Sequence, residues 1–197
     1  MTILMTPLDV PKIVPNNWDD WWQIWNTHAD MLHKTVKNHN SKEGNWRGLN
    51  IYKHTKFNLS TVYSAPSYFS HPVITDLVKQ VETNLPIIPF LIRVIENLEV
   101  VDPHTDQPFP KDELRCVLWN TYTDPIWKFE YDGEQRNLVL PESTNTFYYK
   151  DYPLKHSGIY DEKNTKGIML IYGAPKQSFR TLIDHSAEKF KDFSWVI

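Results

Sequence analysis

One cysteine in 197 residues, Cys116, leaves no intramolecular disulfide framework and fits a reducing compartment. Six glycines are few for loops that cradle nucleotide phosphates. No Walker-type glycine loop, Gly-x-Ser-x-Gly elbow or cysteine-rich zinc pattern occurs. No apolar run approaches the roughly 18 residues that a membrane span needs. The first residues lack a basic stretch followed by an apolar segment and a small-residue cleavage site. Neither sign of charge dominates: the net charge is −3 and the pI about 6.2. General nucleic-acid binding therefore has no electrostatic footprint, although a local basic groove stays open. The expectation is a cytoplasmic protein with no membrane partner.

Aromatic residues, in contrast, are plentiful, with 8 Trp, 10 Tyr and 9 Phe. They suit a broad β core or an aromatic-lined pocket, and composition does not choose between the two. At 23.3 kDa the chain is most simply one domain, residues 1–197, with a full hydrophobic core. Pro7, Pro11 and Pro15 predict an extended lead-in over 1–16. Trp18, Trp21, Trp22, Trp25 and Leu32 recur at helical spacing, predicting a helix over about 19–37 with its tryptophans in the core. A strand over 46–52 and a helix over 73–83 follow, the latter burying Ile74, Leu77, Val78 and Val81. From Phe90 onward the pattern is β: strands are predicted over 90–101, 114–122, 126–131, 137–140, 146–149 and 167–172. Asp132-Gly133 suits a tight hairpin. Residues 178–193 read as a short final helix. Helices followed by short strands make an α+β chain whose β part is a barrel or a sandwich.

Within that β region lies His104-Thr105-Asp106, with His156 and Lys166 downstream. Roughly 0.6 His-x-Asp tripeptides are expected here by chance, so the tripeptide alone says little. A second copy, His28-Ala29-Asp30, falls inside the predicted first helix, where residues i and i+2 point to nearly opposite sides. In a strand they share a face, as co-ligation of a metal requires. Two imidazoles and a carboxylate form the facial triad that holds Fe(II) with positions left open. The competing readings are a solvated strand end for His104 and Asp106, a loop histidine for His156 and a solvated strand-start lysine for Lys166. The histidines at 28, 33, 39, 54, 71 and 185 have no partners at metal-ligand spacing. Trp119 and Trp127 either line a cavity or pack the core.

Asp102-Pro103-His104-Thr105-Asp106, then Leu114-Arg115, then His156 and Lys166, resemble the Fe(II)/2-oxoglutarate-dependent oxygenase superfamily. The closest pattern is that of the aspartyl/asparaginyl β-hydroxylase-like group, over roughly residues 88–175. The resemblance implies a double-stranded β-helix, or jelly roll, over about 88–175, with mainly helical support and one early strand over about 1–87 and a C-terminal segment over 176–197. It implies iron ligation by His104, Asp106 and His156, with 2-oxoglutarate and O2 as cosubstrates and succinate and CO2 released. Lys166 stands where many superfamily members bind the distal carboxylate of 2-oxoglutarate. Lysine there matches the prolyl-hydroxylase-like branch, whereas the aspartyl/asparaginyl group has arginine. The best-known aspartyl hydroxylases also lack the acidic ligand that Asp106 supplies here. Arg115 either meets the cosubstrate or an acidic substrate, or pairs with a core carboxylate; Arg93, inside an apolar strand, is a weaker candidate of the same kind. The implied activity is hydroxylation of an amino-acid side chain in a peptide or protein, or of a small molecule. A catalytically silent jelly-roll binding module and another cupin-like metal enzyme are the rival readings.

Overall fold

Ile92, Val94, Met169 and Ile171, all fully buried, sit on neighbouring antiparallel strands and show how the larger sheet is laid down: alternate residues enter a core on one face. The computed structural model describes residues 1–31, 46–53, 67–97, 101–105, 115–120, 126–150, 153–159 and 167–197. Its strands are β1 (Ile3–Pro7), β2 (Asp30–Met31), β3 (Trp46–Lys53), β4 (Ile87–Asn97), β5 (Val101–His104) and β6 (Arg115–Asn120), then β7 (Ile126–Tyr131), β8 (Glu134–Asn137), β9 (Thr146–Tyr149), β10 (Lys155–Ile159), β11 (Gly167–Pro175) and β12 (Trp195–Val196). Three α-helices accompany them: α1 (Trp18–His28), α2 (Pro72–Asn84) and α3 (Ser178–Lys189). The result is an α+β molecule of antiparallel sheets with few helices.

An eight-stranded sheet has the order β12-β1-β9-β6-β11-β4-β3-β2, and a four-stranded sheet the order β5-β10-β7-β8. Between β4 and β11 the chain changes sheet repeatedly: β4, β6, β9 and β11 belong to the larger, β5, β7, β8 and β10 to the smaller. The helices cover one face of the larger sheet, where Trp21, Trp25, Ile74, Leu77, Phe179 and Ile183 join Ile92 and Val94 in one core. A second core, with Trp127, Phe129, Phe147 and Tyr149, joins the two sheets. The predicted placement of helices outside the strands is therefore seen, with the C-terminal α3 sharing the task.

Local chemistry explains the helix ends. The Asn17 side chain accepts from the backbone N–H groups of Asp19 and Asp20 at 3.0 and 3.2 Å, and both aspartates suit the positive end of α1. The helix stops at His28 rather than running to 37, because Ala29 turns extended and Asp30–Met31 pairs with β3. His28-Ala29-Asp30 thus straddles a helix end, which corrects the wholly helical placement expected for it; the His28 ring packs beside Tyr68, 4.9 Å between centroids. The tryptophan stripe divides: Trp21 and Trp25 are buried, whereas Trp18 stands 38% exposed. Residues 32–37, the rest of the predicted helix, lie outside the described residues.

Other departures concern pairing that local pattern does not encode. Ile3–Pro7 is extended as expected, and beyond that expectation it is a buried strand between β9 and β12. The strand expected over 90–101 is two, β4 and β5, in different sheets. The strand expected over 137–140 lies earlier, at Glu134–Asn137, because the Asp132-Gly133 turn, with φ of 50° and 80°, sets Glu134 directly opposite Tyr131.

At Gly173, β11 runs close against β4. A Cβ there would lie 2.6 Å from the Ile88 carbonyl oxygen and 3.1 Å from Pro89 Cα, both backbone atoms. The β11–β4 register shifts at this point. Gly173→Ala is expected to lower stability by about 1–3 kcal/mol, read as a fall in melting temperature. An unchanged melt would show that β4 can move aside freely.

Candidate metal centre

Strand alternation builds the centre. On β10, Lys155 is the register partner of Glu130 and His156 that of Phe129. Lys155 turns outward and bonds Glu130 at 3.1 Å; the adjacent His156, on the opposite face, is 5% exposed. Gln135 and Lys155, both bonded to the Glu130 carboxylate, hold it below the ordinary carboxylate range. Alternation along β10 thus turns Lys155 outward and His156 inward.

On the other side of β10 lies β5, with His104 directly opposite His156. The two imidazoles therefore stand on one face of neighbouring strands, their ring centroids 4.3 Å apart at an interplanar angle of 55°. Trp127 and Phe129 of the same sheet lie 5.8 and 6.5 Å from the His156 ring, and Tyr149 of the larger sheet lies 5.1 Å away. His156 thus projects into the space between the sheets, against an aromatic wall. His104 is half-buried, so the pair has one closed side and one accessible side.

Two imidazoles this close suit a shared cation. A ring bound through nitrogen at about 2.1 Å places its centroid about 3.2 Å from the metal, so two rings bound at right angles have centroids about 4.5 Å apart. The observed spacing fits two ligands of one ion. Among the described residues, no group of three or more His, Cys, Asp or Glu side chains is placed to hold a metal. Asp106, the expected third ligand, lies outside the described residues, as does Lys166. Arg115 begins β6, its backbone paired with Gly173, but its side chain is outside the described part. The structure thus brings together two of the five expected site residues.

The sequence pattern did not single out Tyr149, although it lies in a strand that was expected. Its signal was the alternation of Phe147 and Tyr149, which places both on the face turned to the smaller sheet. Trp127 proves to be both core and wall: it is 6% exposed and its ring lies 5.8 Å from that of His156. Arg93 donates from Nε to Asn50 Oδ1 at 2.8 Å.

No protein-family model matches the chain, and no curated protein matches its sequence. Among solved structures it is similar to a Pseudomonas putida prolyl-4-hydroxylase, with a TM-score of 0.48 and 10% identity over 89% of this chain and 95% of that one. It is also similar to vicilin from hazelnut, Corylus avellana, with a TM-score of 0.30 and 8% identity over 73% of this chain and 31% of that one. Among the described residues no helix is long and apolar enough to cross a membrane.

Proposed function

We propose that this protein is a non-haem Fe(II)/2-oxoglutarate-dependent dioxygenase built on a jelly roll formed by β4 to β11. The observation that carries the reading is the opposition of His104 and His156, centroids 4.3 Å apart, between two sheets. The alternation of β4 to β11 between those sheets supports the jelly roll, since eight strands shared by two sheets in this way are its signature. On this reading one domain spans residues 1–197, works in the cytoplasm and hydroxylates an amino-acid side chain in a peptide or protein, or a small molecule. The Pro103-His104-Thr105 segment and Leu114-Arg115 favour the aspartyl/asparaginyl β-hydroxylase-like group; Lys166 is the prolyl-hydroxylase-like choice.

His104, His156 and Asp106 would hold the iron, and Lys166, aided by Arg115, the distal carboxylate of 2-oxoglutarate. Bound iron supplies the coupled decarboxylation of 2-oxoglutarate and oxidation of a C–H bond, with succinate and CO2 released. The chain's own residues do the rest. Trp127, Phe129 and Tyr149 close one side of the histidine pair and keep water from it. The strand pairing of β10 with β5 and β7 holds both rings in place, so binding a metal orders little that is not ordered already. A lysine ammonium offsets the desolvation of a buried carboxylate through a charge-assisted hydrogen bond.

The test is succinate release from 2-oxoglutarate with Fe(II) and candidate substrates, alongside titration of the protein with Fe(II) and with 2-oxoglutarate. Stoichiometric metal binding and succinate production are expected. Failure to bind either one would sink the reading.

A further inference from the structure

We propose that Arg93, oriented by Asn50, is a recognition site for a carboxylate on the substrate. This deepens the dioxygenase reading and rests on it for the word substrate. Arg93 lies between Ile92 and Val94, both of which enter the helix-side core, so its own side chain is turned to the opposite face of the larger sheet. The backbone register runs Arg93 to Leu170, Leu170 to Leu118, and Leu118 to Phe147. Arg93 therefore shares a row and a face with Phe147, which packs in the core between the sheets. It stands at the β4 end of that row. Strand β5, which carries His104, leaves β4 after only three residues and is the border strand of the smaller sheet. Four residues span at most about 14 Å, so the end of β4 and the start of β5 lie close together.

The chemistry of the group points to its ligand. A guanidinium carries five N–H donors and no acceptor. Asn50 Oδ1 takes the Nε–H at 2.8 Å, and Asn50 is the register partner of Arg93 on β3. That bond leaves the end-on pair of Nη donors, the fork that matches a carboxylate with two parallel bonds. Among the described residues no carboxylate pairs with Arg93, although the side chain is half-buried. A ligand carboxylate, from a small acid or from an acidic residue of a peptide, completes the site.

Three probes titrated into the full chain by ligand-observed NMR test this: N-acetylglycine, N-acetyl-L-aspartate methylamide and N-acetyl-L-asparagine methylamide. One or both acids are expected to bind, and the neutral asparagine compound at least about tenfold more weakly. Tighter binding of N-acetylglycine assigns a free small acid; tighter binding of the aspartate compound assigns an acidic peptide. Arg93→Gln should weaken the acid by about thirtyfold, and Arg93→Lys by less, because charge survives without the fork. If Arg93→Gln does not fold, Asn50→Ala, which leaves the charge and frees its orientation, should still weaken the acid several-fold. Equal binding of amide and acid, wild-type affinity in folded Arg93→Gln or in Asn50→Ala, or competitive displacement of the acid by 2-oxoglutarate would each overturn the proposal. Arg93-dependent acid binding in a protein that makes no succinate would instead remove the dioxygenase reading and leave the carboxylate site standing.

Discussion

Replacing His156 with alanine is expected to abolish metal binding, with affinity falling more than about 100-fold and succinate production dropping below detection. Loss of a group that merely supports a ligand costs about 10–100-fold, and loss of a ligand costs more. The His156 side chain is 5% exposed and lies within ring contact of Trp127, Phe129 and Tyr149, so its removal also leaves a hole. That hole adds a stability loss of about 2 kcal/mol or more. His156→Gln separates the effects, since it refills much of the space without restoring the imidazole. His104→Ala should lose metal equally, with a smaller change in melting temperature, because His104 is only half-buried. Cobalt(II) titration followed by visible absorption reads the metal site independently of turnover. Wild-type cobalt affinity in both alanine variants would mean that the two rings are a packed pair and nothing more.

How far the sequence disclosed this site follows from what short-range pattern can encode. His104 was legible because it closes a polar exit from an apolar run, and its tripeptide placed a carboxylate two residues on. His156 was legible only as a residue type at a spacing. Lys155-His156-Ser157-Gly158 has neither β-branched nor aromatic residues, so its strand character comes from tertiary pairing with β5 on one side and β7 on the other. The split of the 90–101 run into β4 and β5 was hidden for a related reason. Both pieces read as strand, and nothing in Leu98-Glu99-Val100 announces a change of sheet. Ile3–Pro7 read as an extended lead-in because its own five residues carry no partner; β9, some 140 residues away, supplies it. The helices fared better where caps and periodicity agree: α2 runs from Pro72 to Asn84 with Val73, Ile74, Leu77 and Val81 buried. Arg93 was visible as a charge in an apolar strand, but its partner Asn50 lies 43 positions earlier and could come only from the register of β3 on β4.

Phe129→Ala is the substitution in which fold and site should fail together. The ring is fully buried in the core that joins the sheets, 6.2 Å from Phe147, 5.6 Å from Tyr149 and 6.5 Å from His156. Truncating a buried phenylalanine costs about 3–5 kcal/mol, which for a chain of this length lowers the melting temperature by roughly 10 °C. Phe129 is also the register partner of His156, so the space it vacates lies directly beside the imidazole. The freed ring should bind metal about tenfold more weakly, a loss of the size seen when a ligand's support is removed. Phe129→Leu fills most of the space and should recover most of both losses. The two roles part under saturating metal. Binding to the folded state alone raises stability with metal concentration, so cobalt should lift the melting temperature of wild type and, less strongly, of Phe129→Ala. It should leave His156→Ala where it is. If metal lifts all three equally, the ion is bound elsewhere. If it lifts the first two and not the third, the aromatic wall acts through the histidine it holds in place.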